Sequence, residues 1–326
     1  MPSIYLHNYF SKDVYSKLKK ENVMLPKDKY EFLIFSQSFD YLFSYNFLSL
    51  KRGKKIRKLG HYAHLHKVWP YFENIITYMK KNKLYDDGNI SYLYGSLSHY
   101  ALDSTFHPYI HYISGRFSKK HRKETKKYMG YHAINEIMLD VIYYYKNNNI
   151  KYYNYKLYND ADFFKKVYFS QPLQNTINYA FKNTFNLENG AKIYNDAYLQ
   201  YKNIYKYLMH DKTGLKKVFY KLIDLITPFK NFKSYSYSHH IKKINNDVLN
   251  LEKNTWLHPI TGEKHNESVE ELYKIASKKL ISYIKVVNEY FQGKCNISKV
   301  KKIIGNNSYS TNLDADERVT FQYFRY

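Results

Sequence analysis

The chain has 326 residues, 44% apolar, 25% charged and 19% aromatic, with 40 Tyr and a formal net charge of +24. That length and apolar share exclude an intrinsically disordered chain and allow one large core or two modest ones. A single Cys excludes an intramolecular disulfide, and no run of about 18 apolar residues offers a transmembrane helix. The heavy use of Lys, Asn, Tyr and Ile fits an AT-rich coding genome, so part of the charge reflects codon usage. The remainder favours phosphates, on nucleic acid or on an anionic lipid surface.

The opening residues, Met1-Pro2-Ser3-Ile4-Tyr5-Leu6-His7, carry no basic region followed by an apolar stretch. No secretory signal is expected there, and a cytoplasmic location follows. Helical periodicity then dominates: Phe72, Ile75, Ile76 and Met79 recur at three-to-four spacing, as do Phe219, Leu222, Ile223 and Ile226. Residues 147–160, rich in Asn and Tyr, read as an exposed connection. Beyond Pro228 a polar, Tyr- and Ser-rich stretch to residue 245 marks a soft boundary, and a long helix follows through Leu272, Ala276, Leu280, Tyr283 and Val287. With 11 Gly and 7 Pro the chain lacks the turns of a β-sandwich. The expectation is an all-α compact bundle of roughly eight or more helices. Its core would span 1–232, and 233–326 would form a helical extension.

Most of the 14 histidines precede residue 140. His99, Asp103 and His107 are spaced four apart, which sets successive side chains about 40° apart around a helix, all on one side. Small Gly95 and Ser96 sit one turn earlier, and Pro108 is expected to end that helix. His132 and Glu136 repeat the four-residue spacing, with Ile134, Ile137, Val141 and Ile142 on the opposite half of their helix. Either pair alone usually decorates a surface. Both on successive helices are harder to dismiss, because burying several imidazoles and carboxylates is costly unless a metal neutralises them. Zinc accepts both donor types at this spacing.

The ordered string His7, Asp40, His64, His99-x-x-x-Asp103-x-x-x-His107, His132-x-x-x-Glu136 resembles the zinc-dependent phospholipase C family over residues 2–145. The wider superfamily includes single-strand nucleases and a phospholipase D that cleaves glycosylphosphatidylinositol anchors. The resemblance implies two to three zinc ions. It assigns Asp40, His64, His99 and Asp103 to one. His7, the amine of a processed N-terminus at Pro2 and a shared Asp103 would hold a second, and His107, His132 and Glu136 a third. Asp40 is also the candidate catalytic general base. Two departures stand out. Secreted bacterial phospholipases C place five residues between the Asp and the following His, where this chain has three, as in the anchor-cleaving branch. Residues 246–326 are also too few for the membrane-gripping β-sandwich of the secreted toxins.

Other residues compete. His64 is preferred over His61 for its position after Gly60, and His66 reads as polar surface. His111 is an alternative to His107. Asp140, one turn beyond Glu136, is either a partner orienting a ligand or a surface acid. The basic runs Lys51–Lys58 and Arg116–Lys127 read as solvated charge, with attraction of an anionic substrate as the alternative. Trp256-Leu-His258-Pro259 reads as a packed turn, and Cys295 has no partner pattern of a nucleophile. The expected function is zinc-dependent hydrolysis of a phosphate ester, with phospholipid as substrate and possible peripheral contact with an anionic membrane. The alternatives are a single-strand nuclease on the same metals and a non-catalytic zinc-stabilised binding protein.

Overall fold

The computed structural model of the protein describes residues 4–49, 51–116, 122–125, 128, 130–148, 167–209, 215–226 and 246–325. The soft boundary at 228–245 and most of the 147–160 connection lie outside them, as does Pro2. The fold is all-α. In chain order the helices are α1 (Ile4–Leu18), α2 (Lys29–Phe35), a 3-10 turn (Ser38–Ser44), α3 (Lys54–Leu65), α4 (Val68–Asn82), α5 (Asp87–Ser114) and α6 (Arg122–Thr125). Then come α7 (Tyr131–Asn148), α8 (Gln171–Phe185), α9 (Gly190–Ile204), a π-helical turn (Tyr205–Met209), α10 (Leu215–Ile226), α11 (Val269–Phe291) and α12 (Ile297–Ile304). Between α10 and α11, Trp256–Leu257 pairs antiparallel with Lys264–His265.

Helix α5 is the axis of the molecule. Asp86 caps it by accepting the Asn89 N–H, and almost every residue from Asn89 to Ile110 is buried on all sides. A helix so enclosed is a central rod, against which α2, α11, α1 and α7 pack. Gly95 permits the closest approach: a Cβ there would lie 2.6 Å from the Cβ of Phe35 and 2.7 Å from its carbonyl carbon. Helix α11 begins with a capping box between Ser268 and Glu271 and lies along α5 through Leu272, Ala276, Leu280 and Val287, all buried.

One local expectation fails, and a second is met with a difference in burial. Pro108 does not end α5, which continues to Ser114 and stops at Gly115 with φ +63°. Proline removes one backbone donor, but continuous burial of Phe106, Tyr109 and Ile110 outweighs that loss. The second concerns α10. Its periodicity does form a helix, yet Phe219, Leu222 and Ile226 are 59%, 55% and 83% exposed. In α4 the matching set, Phe72, Ile75, Ile76 and Met79, is fully buried. No described helix is long and apolar enough to cross a membrane.

Candidate metal centre

The central helix presents His99, Asp103 and His107 from one side, and the elements around it bring the remaining donors to that side. Helix α1 carries His7, the 3-10 turn Asp40, α3 His64, and α7 His132 and Glu136. His64 Nε2 lies 3.3 Å from His99 Nε2 and 3.2 Å from Asp40 Oδ1. His99 Nε2 lies 3.1 Å from Asp103 Oδ2. The other Asp103 oxygen, Oδ1, is 3.1 Å from His7 Nε2, so this carboxylate faces two sides. The His7 ring stacks on that of His99 with centroids 4.5 Å apart. In a second cluster, Glu136 Oε1 lies 3.2 Å from His107 Nε2 and 3.1 Å from His132 Nε2. A cavity of about 20 Å³, room for about one water, separates His7 and Asp103 from His107 and Glu136.

The far ring nitrogens explain why the Nε2 atoms point inward. His64 Nδ1–H donates to the carbonyl of Gly60 at 2.7 Å, one helical turn back. His99 Nδ1–H donates to the Ser36 carbonyl at 3.1 Å, a contact that the α2–α5 approach at Gly95 makes possible. His107 Nδ1–H donates to the Tyr309 carbonyl at 2.9 Å. These carbonyls can only accept, so each assigns the hydrogen to Nδ1 and leaves Nε2 as the inward donor atom. Metal-ligating histidines are held in this way.

The first cluster therefore brings two imidazole Nε2 atoms and two carboxylates together, all four able to accept. Burial keeps a proton off His99, lowering its pKa to about 3 despite Asp103. Burial pushes Asp40 up, but the positive charge around it outweighs that and holds the carboxyl below its ordinary range. Asp103 behaves likewise: burial raises it, and His107, His99 and His7 together bring it well down. A buried acceptor left without a partner costs about 1–3 kcal/mol, and four facing one another suit a cation. Two imidazoles and two carboxylates suit zinc.

The sequence profile of the zinc-dependent phospholipase C family matches residues 6–193, more than half of the chain. The chain belongs to that family. No curated protein and no solved structure shows significant similarity to it. Membership in the zinc-dependent phospholipase C family, with His and Asp clusters that fit a metal site, makes this a zinc phospholipase C-like hydrolase.

The eight described side chains of the string His7, Asp40, His64, His99, Asp103, His107, His132 and Glu136 all stand in this centre. His61 is exposed and packs on Phe43. His66 corrects the surface reading: it is half-buried, and its Nδ1–H donates to the Ala315 carbonyl at 2.8 Å. His111 extends the α5 series, with its ring 4.6 Å from that of His132. Asp140 is not a surface acid. It is fully buried, and its two oxygens accept the Ile4 and Leu6 N–H groups at 2.8 and 2.9 Å, tying down the first turn of the helix that bears His7. Arg57, in the first basic run, clamps the preceding loop through the carbonyls of Tyr45, Asn46 and Ser49. His258 donates to the Thr311 carbonyl and accepts from two backbone N–H groups, so it has no atom left for a ligand. What the sequence did not disclose is Tyr309, whose backbone touches the centre from beyond the family match. A carbonyl carries no residue-type signature.

Proposed function

We propose that this chain hydrolyses the phosphodiester of a phospholipid, with two to three zinc ions held by the centre. Asp40, His64, His99 and Asp103 would hold one, and His107, His132 and Glu136 another. The second oxygen of Asp103 and His7 would hold a third, joined by the α-amine of a processed terminus at Pro2. The observation that supports this most is the group of facing acceptors around His64 and His99, which a metal would satisfy. Zinc there supplies charge neutralisation for phosphoryl oxygens and lowers the pKa of a water it contacts. The residues do the rest. The carbonyls of Gly60, Ser36 and Tyr309 keep three imidazoles turned inward, and Asp103 faces both neighbours at once. His132, with 34% of its side chain exposed, marks the edge from which substrate enters. Asp40 is a ligand first, and its general-base role would remove a proton from the attacking water as the alcohol oxygen leaves phosphorus and takes one up. Peripheral contact with an anionic membrane belongs to the same reading. The net charge of +24 supports it, as does the exposed apolar stripe of α10.

The test is elemental analysis of protein purified without chelators, followed by turnover of a choline phospholipid and of single-stranded DNA. Two to three equivalents of zinc with lipid cleavage is the expected result. Zinc-free protein would overturn the reading. Cleavage of DNA alone would move the chain to the nuclease branch, and full zinc without turnover would make it a binding protein.

A further inference from the structure

The family match ends at residue 193, yet the centre has a wall from much later in the chain. Residues 306–315 fold into a compact loop closed by Ser308 N–H to the Leu313 carbonyl at 2.7 Å and Ala315 N–H to the Asn306 carbonyl at 2.8 Å. The loop is pinned from outside. Asn306 Oδ1 accepts the Trp69 N–H, the Tyr100 hydroxyl accepts the Asn307 N–H, and the Thr311 carbonyl accepts from His258 Nε2. At its tip, Ser308 and Tyr309 reach both clusters. The Tyr309 N–H and the Ser308 hydroxyl donate to the His64 carbonyl at 2.9 and 3.1 Å. The Tyr309 carbonyl accepts from His107 Nδ1. The Tyr309 ring, fully buried, lies 5.2 Å from the His64 ring and 5.6 Å from that of His99.

These contacts divide the work. The carbonyls that orient His64 and His99 come from Gly60 and Ser36, inside the matched region. The one that orients His107 comes from outside it. Without it, an acceptor near His107 Nδ1 is Asp103 Oδ2 at 3.7 Å, a carboxylate the other cluster uses. A ring turned toward Asp103 would draw Nε2 away from Glu136 and His132.

We propose that the loop 306–315 is a positioning element of the metal centre. The Tyr309 carbonyl fixes the ring of His107 so that Nε2 joins Glu136 and His132 around a metal, and the loop couples that cluster to the backbone of His64. This rests on the zinc reading above, but part of its test does not. In Tyr309→Gly the carbonyl remains while the buried ring that seats it is lost. Tyr309→Phe keeps the ring and removes only a hydroxyl that has no hydrogen-bond partner among the described residues. Zinc affinity is measured for both variants and wild type by chelator competition, with thermal unfolding to confirm folding. In parallel, nitrogen-15 NMR of the histidines reads the His107 Nδ1 hydrogen in metal-free protein.

Tyr309→Gly should weaken one zinc equivalent about 10–100-fold, with the others within about threefold, and should expose the Nδ1 hydrogen to exchange. Tyr309→Phe should match wild type in both. Should Tyr309→Gly fail to fold, Ser308→Ala, which removes two bonds at the loop tip, one to the His64 carbonyl and one from the Ser310 N–H, should still speed exchange of that hydrogen. Equal affinity at every site in folded Tyr309→Gly would overturn the proposal. So would a wild-type His107 with no protected Nδ1 hydrogen, whether or not the protein holds zinc. A wild type without zinc but with the protected hydrogen would sink the functional reading and leave the positioning role supported.

Discussion

The two clusters use the same donor types and differ in what can satisfy them. Around His64 and His99, acceptors face acceptors, their side chains are at most 8% exposed, and burial keeps His99 unprotonated. Around Glu136, one carboxylate oxygen sits between two imidazoles. Although burial opposes it, Asp103 and Glu136 raise the His107 pKa to about 9, so a proton can stand in for a metal there. His132 opens that cluster to solvent. A cation would satisfy the inner group, whereas a proton already serves the outer one. Ligand identity alone would not have separated them.

The most direct way to break this comparison is Asp103→Asn. Asp103 faces His7 with one oxygen and His99 with the other, so its loss should remove two zinc equivalents and lower hydrolysis by more than about 100-fold. Metal analysis and turnover read it, and wild-type values for both would end the shared-carboxylate assignment. Glu136→Gln tests the other side: one equivalent should be lost, with thermal stability of the zinc-loaded protein nearly unchanged. If stability fell as far as in Asp103→Asn, the two clusters would not differ as described.

Graded chelation sharpens the contrast further. The outer zinc should leave first without unfolding, and the last equivalent should leave only as helical circular dichroism is lost. Simultaneous release would contradict it. An uncleavable extension before Pro2 should cost one equivalent and most of the activity if the terminal amine is a ligand beside His7. Unchanged metal content would remove the amine from the set. The smallest effect belongs to Asp140→Asn. The amide keeps one acceptor for the two N–H groups at the start of α1, so stability should fall by about 1–3 kcal/mol in urea unfolding. Hydrolysis should fall less than tenfold, with the Glu136 zinc retained. An effect as large as that of Asp103→Asn would make Asp140 part of the centre.

The helical class and the donors on α5 and α7 were legible because four-residue spacing forces side chains to one side of a helix. The limits have physical causes. Pro108 obeyed a local rule that burial of its neighbours overrode. The apolar period of α10 reads like those of α4 and α11, yet its stripe is exposed, because period reports a helix and not what covers it. Asp140 read as a partner for a ligand or a surface acid, and its oxygens accept backbone N–H groups, which no spacing announces. Tyr309 lies 202 residues from His107, and its contribution is a main-chain oxygen common to every residue.

The tie from Asp140 to Ile4 spans 136 positions, and that from His107 to Tyr309 spans 202. On a ribosome, chain emerges from its first residue onward. The Asp140 tie to the first helix is therefore absent until residue 140 is made, and the carbonyl that orients His107 until residue 309 is. A nascent chain stopped between those points would display most of the imidazoles and carboxylates without the loop that aims them. It would offer metals a loose set of donors, with selection among those metals deferred until the loop is made.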